Sequence, residues 1–172
     1  MISLMALGIK KGDEVITAAN TAIPTISAII NAGATPKLVD IDNDYLIDIK
    51  KIQKEISSKT KAIIPVHLYG QSCQMDKLLK VAKKNKLKVI EDCAQAQGAK
   101  FKKKYLGNLG DLGCFSFSPP KIITTGQGGV VVTNNLSLYK KLLQLKNQGR
   151  VGSSNGGQDR YESIGYNFKY TN

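Results

Sequence analysis

One lysine in this sequence lies in a setting that favours covalent carbonyl chemistry. Lys121 is the single charged residue in the run from Leu112 to Leu138, where phenylalanines, prolines and glycines surround it. An amine in such an apolar segment is partly desolvated, which favours the neutral form that attacks a carbonyl carbon to give a Schiff base. An exposed loop lysine is the alternative interpretation, and position alone does not choose between the two.

A carboxylate, Asp92, ends a short run, 88–92, whose residues Val89 and Ile90 are apolar and β-branched. The run predicts a buried strand, and open α/β sheets bind their ligands beyond the carboxyl ends of such strands. A lysine imine and a strand-end carboxylate are the minimum set for pyridoxal phosphate, because the carboxylate keeps the pyridine nitrogen protonated. Capping of the following turn is the competing interpretation of Asp92, and taken alone it is the more frequent role.

Counting residue types excludes several other kinds of site. His67 is the only histidine, so a multi-histidine metal site is impossible, and the three cysteines lack the close pairing of a zinc knuckle. The glycine-rich segments 107–113 and 126–129 do not open a strand-to-helix turn of the dinucleotide-binding type, and we interpret them as turns. An odd number of cysteines is typical of a reducing compartment, which predicts free thiols and a cytoplasmic location. The cysteines are Cys73, Cys93 and Cys114.

Composition bounds the class of protein. The 172 residues, 42% hydrophobic and 22% charged, are typical of one globular domain. Lysines and arginines number 25 against 13 acidic residues, a formal net charge of +12. This excess is compatible with nucleic-acid binding, but the lysines of segments 77–88 and 100–104 lack the interleaved arginine and aromatic residues that base recognition favours. We interpret them as a solvated face, with a basic binding module as the alternative.

Short β-branched runs alternate with amphipathic stretches, which predicts an α/β fold with a mixed, mostly parallel sheet and flanking helices. Strands are expected at 14–17, 36–40, 61–66, 88–92, 113–117 and 130–133, helices at 24–33, 49–58, 75–85 and 136–147, and a hairpin arm at 101–106. Residues after Gly149 are expected to form loops. No membrane span is expected, because polar residues and a proline interrupt the apolar stretch 15–34.

The sequence resembles the DegT/DnrJ/EryC1/StrS family of pyridoxal-phosphate-dependent nucleotide-sugar aminotransferases almost from end to end. The most specific matches are KVIEDCAQAQGA and GDLGCFSFSPPKIITTGQGGVVVTN, supported by GDEVIT, NTAIPTISAI, GATPKLVDID, KAIIPVHLYGQ and GYNFKYTN. The resemblance implies the fold-type I architecture, a homodimer, and a large domain followed by a small C-terminal domain. Residues 1–172 would then be the central part of the large domain that binds pyridoxal phosphate, without the N-terminal phosphate loop and the small domain.

The resemblance also implies roles for individual residues. Lys121 matches the lysine that forms the imine with the cofactor, and Asp92 matches the partner of the pyridine nitrogen. Gln95 matches a side chain beside the cofactor ring and its phenolic oxygen. Ser116 matches the serine that binds the phosphate, and Asn167 matches the asparagine that the neighbouring subunit lends to that phosphate. By residue type alone, a polar turn, a strand serine and a loop asparagine are the simpler interpretations of the last three.

Two further positions bear on the resemblance. His67 matches a family position at a strand end near the site, and a hydrogen-bonded structural histidine is an equally good interpretation of it. Ala22 stands where the family often has an aromatic residue over the cofactor ring. Ring stacking is therefore expected to be weaker or to come from elsewhere.

The leading hypothesis is an enzyme that transfers an amino group from glutamate to a keto group, preferably a 4-keto group, of a nucleotide-linked deoxysugar for polysaccharide biosynthesis. Three alternatives stay open: a sugar 3-dehydratase of the same family, a non-catalytic truncated remnant and a basic binding module. The dehydratases carry histidine in place of the imine lysine, so Lys121 argues against the first. Because the phosphate loop would precede residue 1, we expect this chain alone not to transaminate.

Overall fold

Six strands form one sheet in the computed structural model, which describes residues 1–151 and 160–169. The strands are β1 (Glu14–Ala18), β2 (Thr35–Val39), β3 (Thr60–Ile64) and β4 (Lys88–Asp92), then the separate hairpin strands β5 (Lys100–Phe101) and β6 (Lys104–Tyr105), and finally β7 (Leu112–Ser116) and β8 (Gly129–Val132). The sheet order is β2-β1-β3-β4-β7-β8, and every neighbouring pair is parallel except the antiparallel pair of β7 and β8. The predicted mixed, mostly parallel sheet is confirmed.

Helices cover both faces of the sheet. They are α1 (Ile2–Ala6), α2 (Ile23–Asn31), α3 (Ile49–Glu55), α4 (Met75–Lys84) and α5 (Leu136–Lys146). Strand side chains alternate between faces, so Ile63 and Val89 join the core under α3 and α4, whereas Ala62 and Ile90 join the core under α1, α2 and α5. Within residues 1–151 and 160–169, no helix has the length and apolar character to cross a membrane.

The largest difference between predicted and observed element ends is at α3. This helix was expected to continue to residue 58 but ends at Glu55, because Ile56 turns to an extended conformation with φ −69° and ψ 126°. The hydroxyl of the next residue, Ser57, donates to Glu14 Oε2 at 2.6 Å and ties the chain to β1. A contact with a distant strand therefore ends the helix, and local sequence does not reveal it.

The prediction that loops follow Gly149 is wrong in one respect. Strand β9 (Arg150–Val151) pairs antiparallel with strand β10 (Arg160–Tyr161). The pair is supported by the Arg150 guanidinium, which donates to the Tyr161 hydroxyl at 3.3 Å. Strands of two residues are too short to show an alternating pattern, so sequence periodicity does not detect them.

The three cysteines are free thiols, as predicted. Cys73 and Cys93 are completely buried, and the Cys73 thiol donates to the Val66 carbonyl oxygen at 3.2 Å. Burial raises the pKa of Cys73 to about 12 and also raises the pKa of Cys93. Both behave as small core residues, since the reactive thiolate form is strongly disfavoured.

Asp48 caps α3, and this cap can be tested. Its Oδ1 accepts hydrogen bonds from the backbone N–H groups of Lys50 at 2.8 Å and Lys51 at 3.4 Å. We expect Asp48→Ala to lower the free energy of unfolding by about 1 kcal/mol, because two helix donors lose their acceptor. Asp48→Asn keeps a capping oxygen and should cost less than about 0.5 kcal/mol. Urea unfolding followed by circular dichroism measures both, and equal losses would contradict the capping role.

Candidate active site

The carboxyl ends of β4 and β7 meet at one edge of the sheet. Asp92 is the last residue of β4 and pairs in parallel register with Cys114, two residues before the end of β7 at Ser116. Paired residues and those two positions further along share a face of the sheet. The fold therefore brings the side chains of Asp92 and Ser116, two of the predicted site residues, to the same face and the same edge.

A cavity of about 210 Å³ lies at this edge. Its walls come from α1, the first turns of α2, and the strands β3, β4 and β7. Thr25, Asp92 and Ser116 contribute polar groups, and most of the other lining residues are apolar. A small, mostly apolar cavity with a few converging polar groups is typical of a site that binds and orients a small molecule.

The carboxylate of Asp92 has a donor on each oxygen. Oδ1 accepts the backbone N–H of Ala94 at 3.0 Å, and Oδ2 accepts the hydroxyl of Thr25 at 3.2 Å. The Asp92 backbone is fixed as well, since its N–H donates to Pro65 at 2.9 Å and its carbonyl oxygen accepts from His67 at 3.0 Å. Each carboxylate oxygen keeps a lone pair for a ligand donor. Asp92 was predicted from the sequence, whereas Thr25 was not.

Gln95 lies in the turn beyond β4, and its amide has a fixed orientation. Its Oε1 accepts the backbone N–H of Tyr69 at 2.9 Å, so its NH₂ group is the part left to donate to a ligand. Tyr69 has a φ of 56°, in the left-handed region that aromatic residues seldom adopt. This conformation belongs to a short helical turn, Leu68–Gly70, which carries the N–H that holds Gln95.

Gln97 is a second residue that the sequence analysis missed. Its Nε2 donates to the backbone carbonyl oxygen of Ser116 at 2.8 Å and to that of Ala94 at 3.4 Å. The side chain thus joins the turn after β4 to the end of β7. Ser116 is further held by its hydroxyl, which lies 3.1 Å from the hydroxyl of Ser118.

Lys121 lies in the turn between β7 and β8. The residue is half-buried, and its backbone N–H donates to the Ser118 carbonyl oxygen at 3.1 Å. Two bonds of Phe117 close the turn: its N–H donates to Gly128 and its carbonyl oxygen accepts from Thr125. Lys121 therefore follows the carboxyl end of β7 on a hydrogen-bonded turn, although it is not one of the residues that line the cavity.

Asn167 lies apart from the other predicted site residues. It is exposed and forms an isolated antiparallel bridge with Asn147, the residue that follows α5. The structure thus brings Asp92 and Ser116 into one cavity and Gln95 into the adjoining turn. It brings neither Lys121 nor Asn167 into that cavity.

Glu91, next to Asp92, points to the opposite face and is completely buried. Its Oε2 accepts from the Gly107 N–H at 3.0 Å and lies 3.1 Å from His67 Nε2. Its Oε1 accepts the N–H groups of Leu109 and Gly110, both at 2.7 Å. Burial by itself raises the pKa of the Glu91 carboxyl, but these four hydrogen bonds outweigh it and the net pKa is lowered.

His67 is completely buried within the same network. The Cys73 backbone N–H donates to Nδ1 at 3.1 Å, so Nε2 carries the proton that is donated to Glu91. The ligand atoms of His67, Glu91 and Cys93 lie within 4.8 Å of one another, as metal ligands would. However, both imidazole nitrogens and both carboxylate oxygens already form hydrogen bonds within the protein. The structural interpretation of His67 therefore fits the geometry.

The fold and the cavity define an α/β protein with a candidate small-molecule site at the carboxyl edge of a mixed sheet. A family model described as the DegT/DnrJ/EryC1/StrS aminotransferase family matches residues 1–172. The chain belongs to this family, and the resemblance found in the sequence motifs is confirmed.

Curated relatives include sugar-metabolising enzymes. The chain is 47% identical over 172 residues to a GDP-perosamine synthase of Escherichia coli O157:H7, in a match that covers 99% of this chain and 46% of that protein. It is 48% identical over 151 residues to a UDP-N-acetyl-3-dehydro-alpha-D-glucosamine 3-aminotransferase of Acidithiobacillus ferrooxidans, which covers 87% of this chain and 41% of that protein. The chain thus spans about half the length of the curated relatives it matches.

Solved structures match the fold closely. An aminotransferase from Psychrobacter cryohalolentis superposes with a TM-score of 0.93 at 40% identity, covering 98% of this chain and 45% of that one. A putative sugar aminotransferase from Streptococcus pneumoniae, solved in its pyridoxal phosphate form, gives a TM-score of 0.87 at 31% identity and covers 96% and 47%. The expected fold class is confirmed.

The buried carboxylate of Glu91 gives a prediction about stability. Glu91→Gln replaces one carboxylate oxygen with an NH₂ group. That NH₂ group then faces N–H donors that were bonded to the oxygen, so these donors lose their acceptor. We expect the free energy of unfolding at pH 7 to fall by about 2–4 kcal/mol. Glu55→Gln is the matched control, because the Glu55 side chain is 44% exposed and its ion pair with Lys37 has an N–O distance of 3.6 Å. It should change stability by less than about 0.5 kcal/mol.

The stabilisation that Glu91 provides is also expected to depend on pH. Because the pKa of Glu91 is lowered on folding, its contribution is fully present above the unfolded value of about 4.3 and is lost as pH falls through the folded pKa. The stability difference between wild type and Glu91→Gln should therefore shrink below about pH 4. Urea titrations between pH 3 and pH 7 measure it, and a difference that is constant with pH would contradict this role of the ionised carboxylate.

Proposed function

We propose that the protein acts in pyridoxal-phosphate-dependent transamination, moving an amino group from glutamate to a keto group of a nucleotide-linked deoxysugar. The observation that carries the proposal is the Asp92 carboxylate, held by Thr25 and Ala94 in the wall of a cavity that Ser116 also lines. Membership of the aminotransferase family and the sugar substrates named for its relatives support the same chemistry.

The donor set of the cavity fits this cofactor. A pyridine N–H needs an acceptor in a fixed position, and each oxygen of Asp92 keeps a lone pair beside the hydrogen bond that orients it. A flat aromatic ring needs apolar walls, which side chains such as Ile64 and Ile90 supply. Phosphate needs hydroxyl or N–H donors, and Ser116 and Ser118 offer two neighbouring hydroxyls at the end of β7.

Pyridoxal phosphate, when bound, supplies a ring that accepts electrons from the substrate carbon. Asp92 holds the proton on the pyridine nitrogen and so maintains that capacity. Lys121 provides the amine for covalent attachment, and its Nζ then carries a proton to and from the substrate carbon. A hydrogen-bonded turn suits this role, because it limits where the amine can be without fixing the side chain.

Gln95, Ser116 and Asn167 complete the proposed set. Gln95 donates from its free NH₂ group to the phenolic oxygen, an orientation supported by the Tyr69 N–H on its Oε1. Ser116 binds the phosphate. Asn167 reaches the phosphate of the neighbouring subunit in a homodimer, and the exposed position of Asn167 is compatible with a contact of this kind.

Exposed apolar side chains support the proposed dimer. Ile122 and Ile123, next to Lys121, are 78% and 59% exposed. Adjacent apolar residues with such exposure are typical of surfaces that bind another chain.

We also propose that residues 1–172 correspond to the central part of the large domain and that the enzyme works in the cytoplasm on polysaccharide precursors.

We also propose that the keto group lies at carbon 4 of the sugar. A 4-keto sugar is proposed because perosamine-type enzymes act at that position and the chain is 47% identical to a perosamine synthase. A relative of similar identity is named for a 3-amino transfer. The two possibilities differ in the product, so NMR of the aminated sugar nucleotide distinguishes nitrogen at carbon 4 from nitrogen at carbon 3.

Attachment of the cofactor to Lys121 is directly testable. We expect the full-length wild-type protein, incubated with equimolar pyridoxal phosphate and reduced with borohydride, to carry the phosphopyridoxyl group on Lys121 in peptide mass spectra. Lys121→Ala should lose this modification, because Lys121 is the proposed attachment amine. Lys140→Ala is the control, because Lys140 is exposed on α5, a helix that does not line the cavity, and it should leave labelling unchanged. Labelling spread over surface lysines without preference for Lys121 would contradict the proposal.

A further inference from the structure

We propose that Thr25 is a positioning residue that orients the Asp92 carboxylate toward the pyridine nitrogen, an inference that rests on the proposed function. The observation is the hydrogen bond of 3.2 Å from the Thr25 hydroxyl to Asp92 Oδ2, between residues 67 positions apart in the chain. Both side chains line the same cavity. None of the family motifs singled out in the sequence gave Thr25 a role.

Both partners of this bond are fixed by their own elements. Thr25 lies in the first turn of α2, where its N–H donates to the Ala22 carbonyl oxygen at 3.0 Å, and Pro24 restricts the same turn. The helix is anchored by Ile29, which is completely buried. At the other end, the Asp92 backbone is hydrogen-bonded on both sides, to Pro65 and His67. The hydroxyl therefore joins two rigid elements, and each element is held in place by other contacts.

The Thr25 hydroxyl does not act as a helix cap. The N-cap residue is Ala22, which has no side-chain acceptor, and a threonine three positions later often bonds locally to the start of the helix. Here the hydroxyl instead reaches across to β4. A role in local helix formation does not explain this direction, whereas a role toward Asp92 does.

The charge environment makes the bond consequential. Among the residues that the structure describes, the donors to the Asp92 carboxylate are the Thr25 hydroxyl and the Ala94 N–H, and no lysine or arginine forms an ion pair with it. Of these two donors, the Ala94 N–H bonds Oδ1 and not Oδ2. Without Thr25, the carboxylate can rotate about its χ2 bond, and Oδ2 no longer has a set direction for its free lone pair.

Three variants, each made in the full-length protein, test the inference by equilibrium binding of pyridoxal phosphate, followed by visible absorbance. We expect Thr25→Val, which keeps the shape and removes the hydroxyl, to weaken binding roughly tenfold, as the loss of a hydrogen bond to a charged group implies. Thr25→Ser retains the hydroxyl and should stay within about twofold of wild type. Thr133→Val is the matched control, because it removes a hydroxyl that donates to Asp111 at 2.8 Å on another part of the sheet, and it should not change binding.

Unfolding midpoints provide a readout that does not need the cofactor. Thr25→Val should lower the urea midpoint of wild type but not that of Asp92→Ala, because the hydroxyl has lost its partner there. If wild type and Thr25→Val bind pyridoxal phosphate equally well, or if Thr25→Ser binds as weakly as Thr25→Val, the inference is wrong while the proposed function stands. If the full-length wild-type protein does not bind pyridoxal phosphate, the proposed function is wrong and the inference is wrong with it.

Discussion

The buried carboxylate of Glu91 organises the edge of the sheet where the candidate site lies. It accepts three backbone N–H groups of the segment 107–110 and the Nε2 proton of His67, without access to solvent. That segment leads directly into β7, and Gly113 of β7 packs so closely on Gly107 that an added Cβ would lie 2.4 Å from its backbone. Glu91 thus fixes the approach of β7 to β4, and the position of Ser116 beside Asp92 depends on that approach.

Regular elements were predictable from sequence because their signals are local. Strand β4 was predicted with its observed bounds, since an apolar run between polar residues identifies a buried strand. Other local features accompany the helices: the Asp48 side chain accepts hydrogen bonds at the start of α3, and the buried residues of α4, such as Leu78 and Ala82, are four positions apart on one face. The strand-end position of Asp92 also follows, which is why the central residue of the candidate site could be identified without coordinates.

Contacts between distant segments were not predictable. Thr25, Tyr69 and Gln97 each hold a predicted site residue, and the partners are separated by 67, 26 and 19 positions. Their residue types are common in turns and helices, so no pattern distinguishes them until the sheet brings the segments together. Glu91 was part of a quoted motif, yet a glutamate beside an aspartate gives no sign from sequence that it is completely buried.

The two adjacent carboxylates of β4 show how structure separates a structural acid from one available for chemistry. Glu91 and Asp92 differ by one position, so the strand directs them to opposite faces. Glu91 accepts four hydrogen bonds, which leaves it little capacity for a further donor and commits it to the fold. Asp92 accepts two, enough to orient it, and it borders a cavity. The number of donors around each acid, rather than the acid itself, therefore identifies Asp92 as the carboxylate that can still meet a ligand.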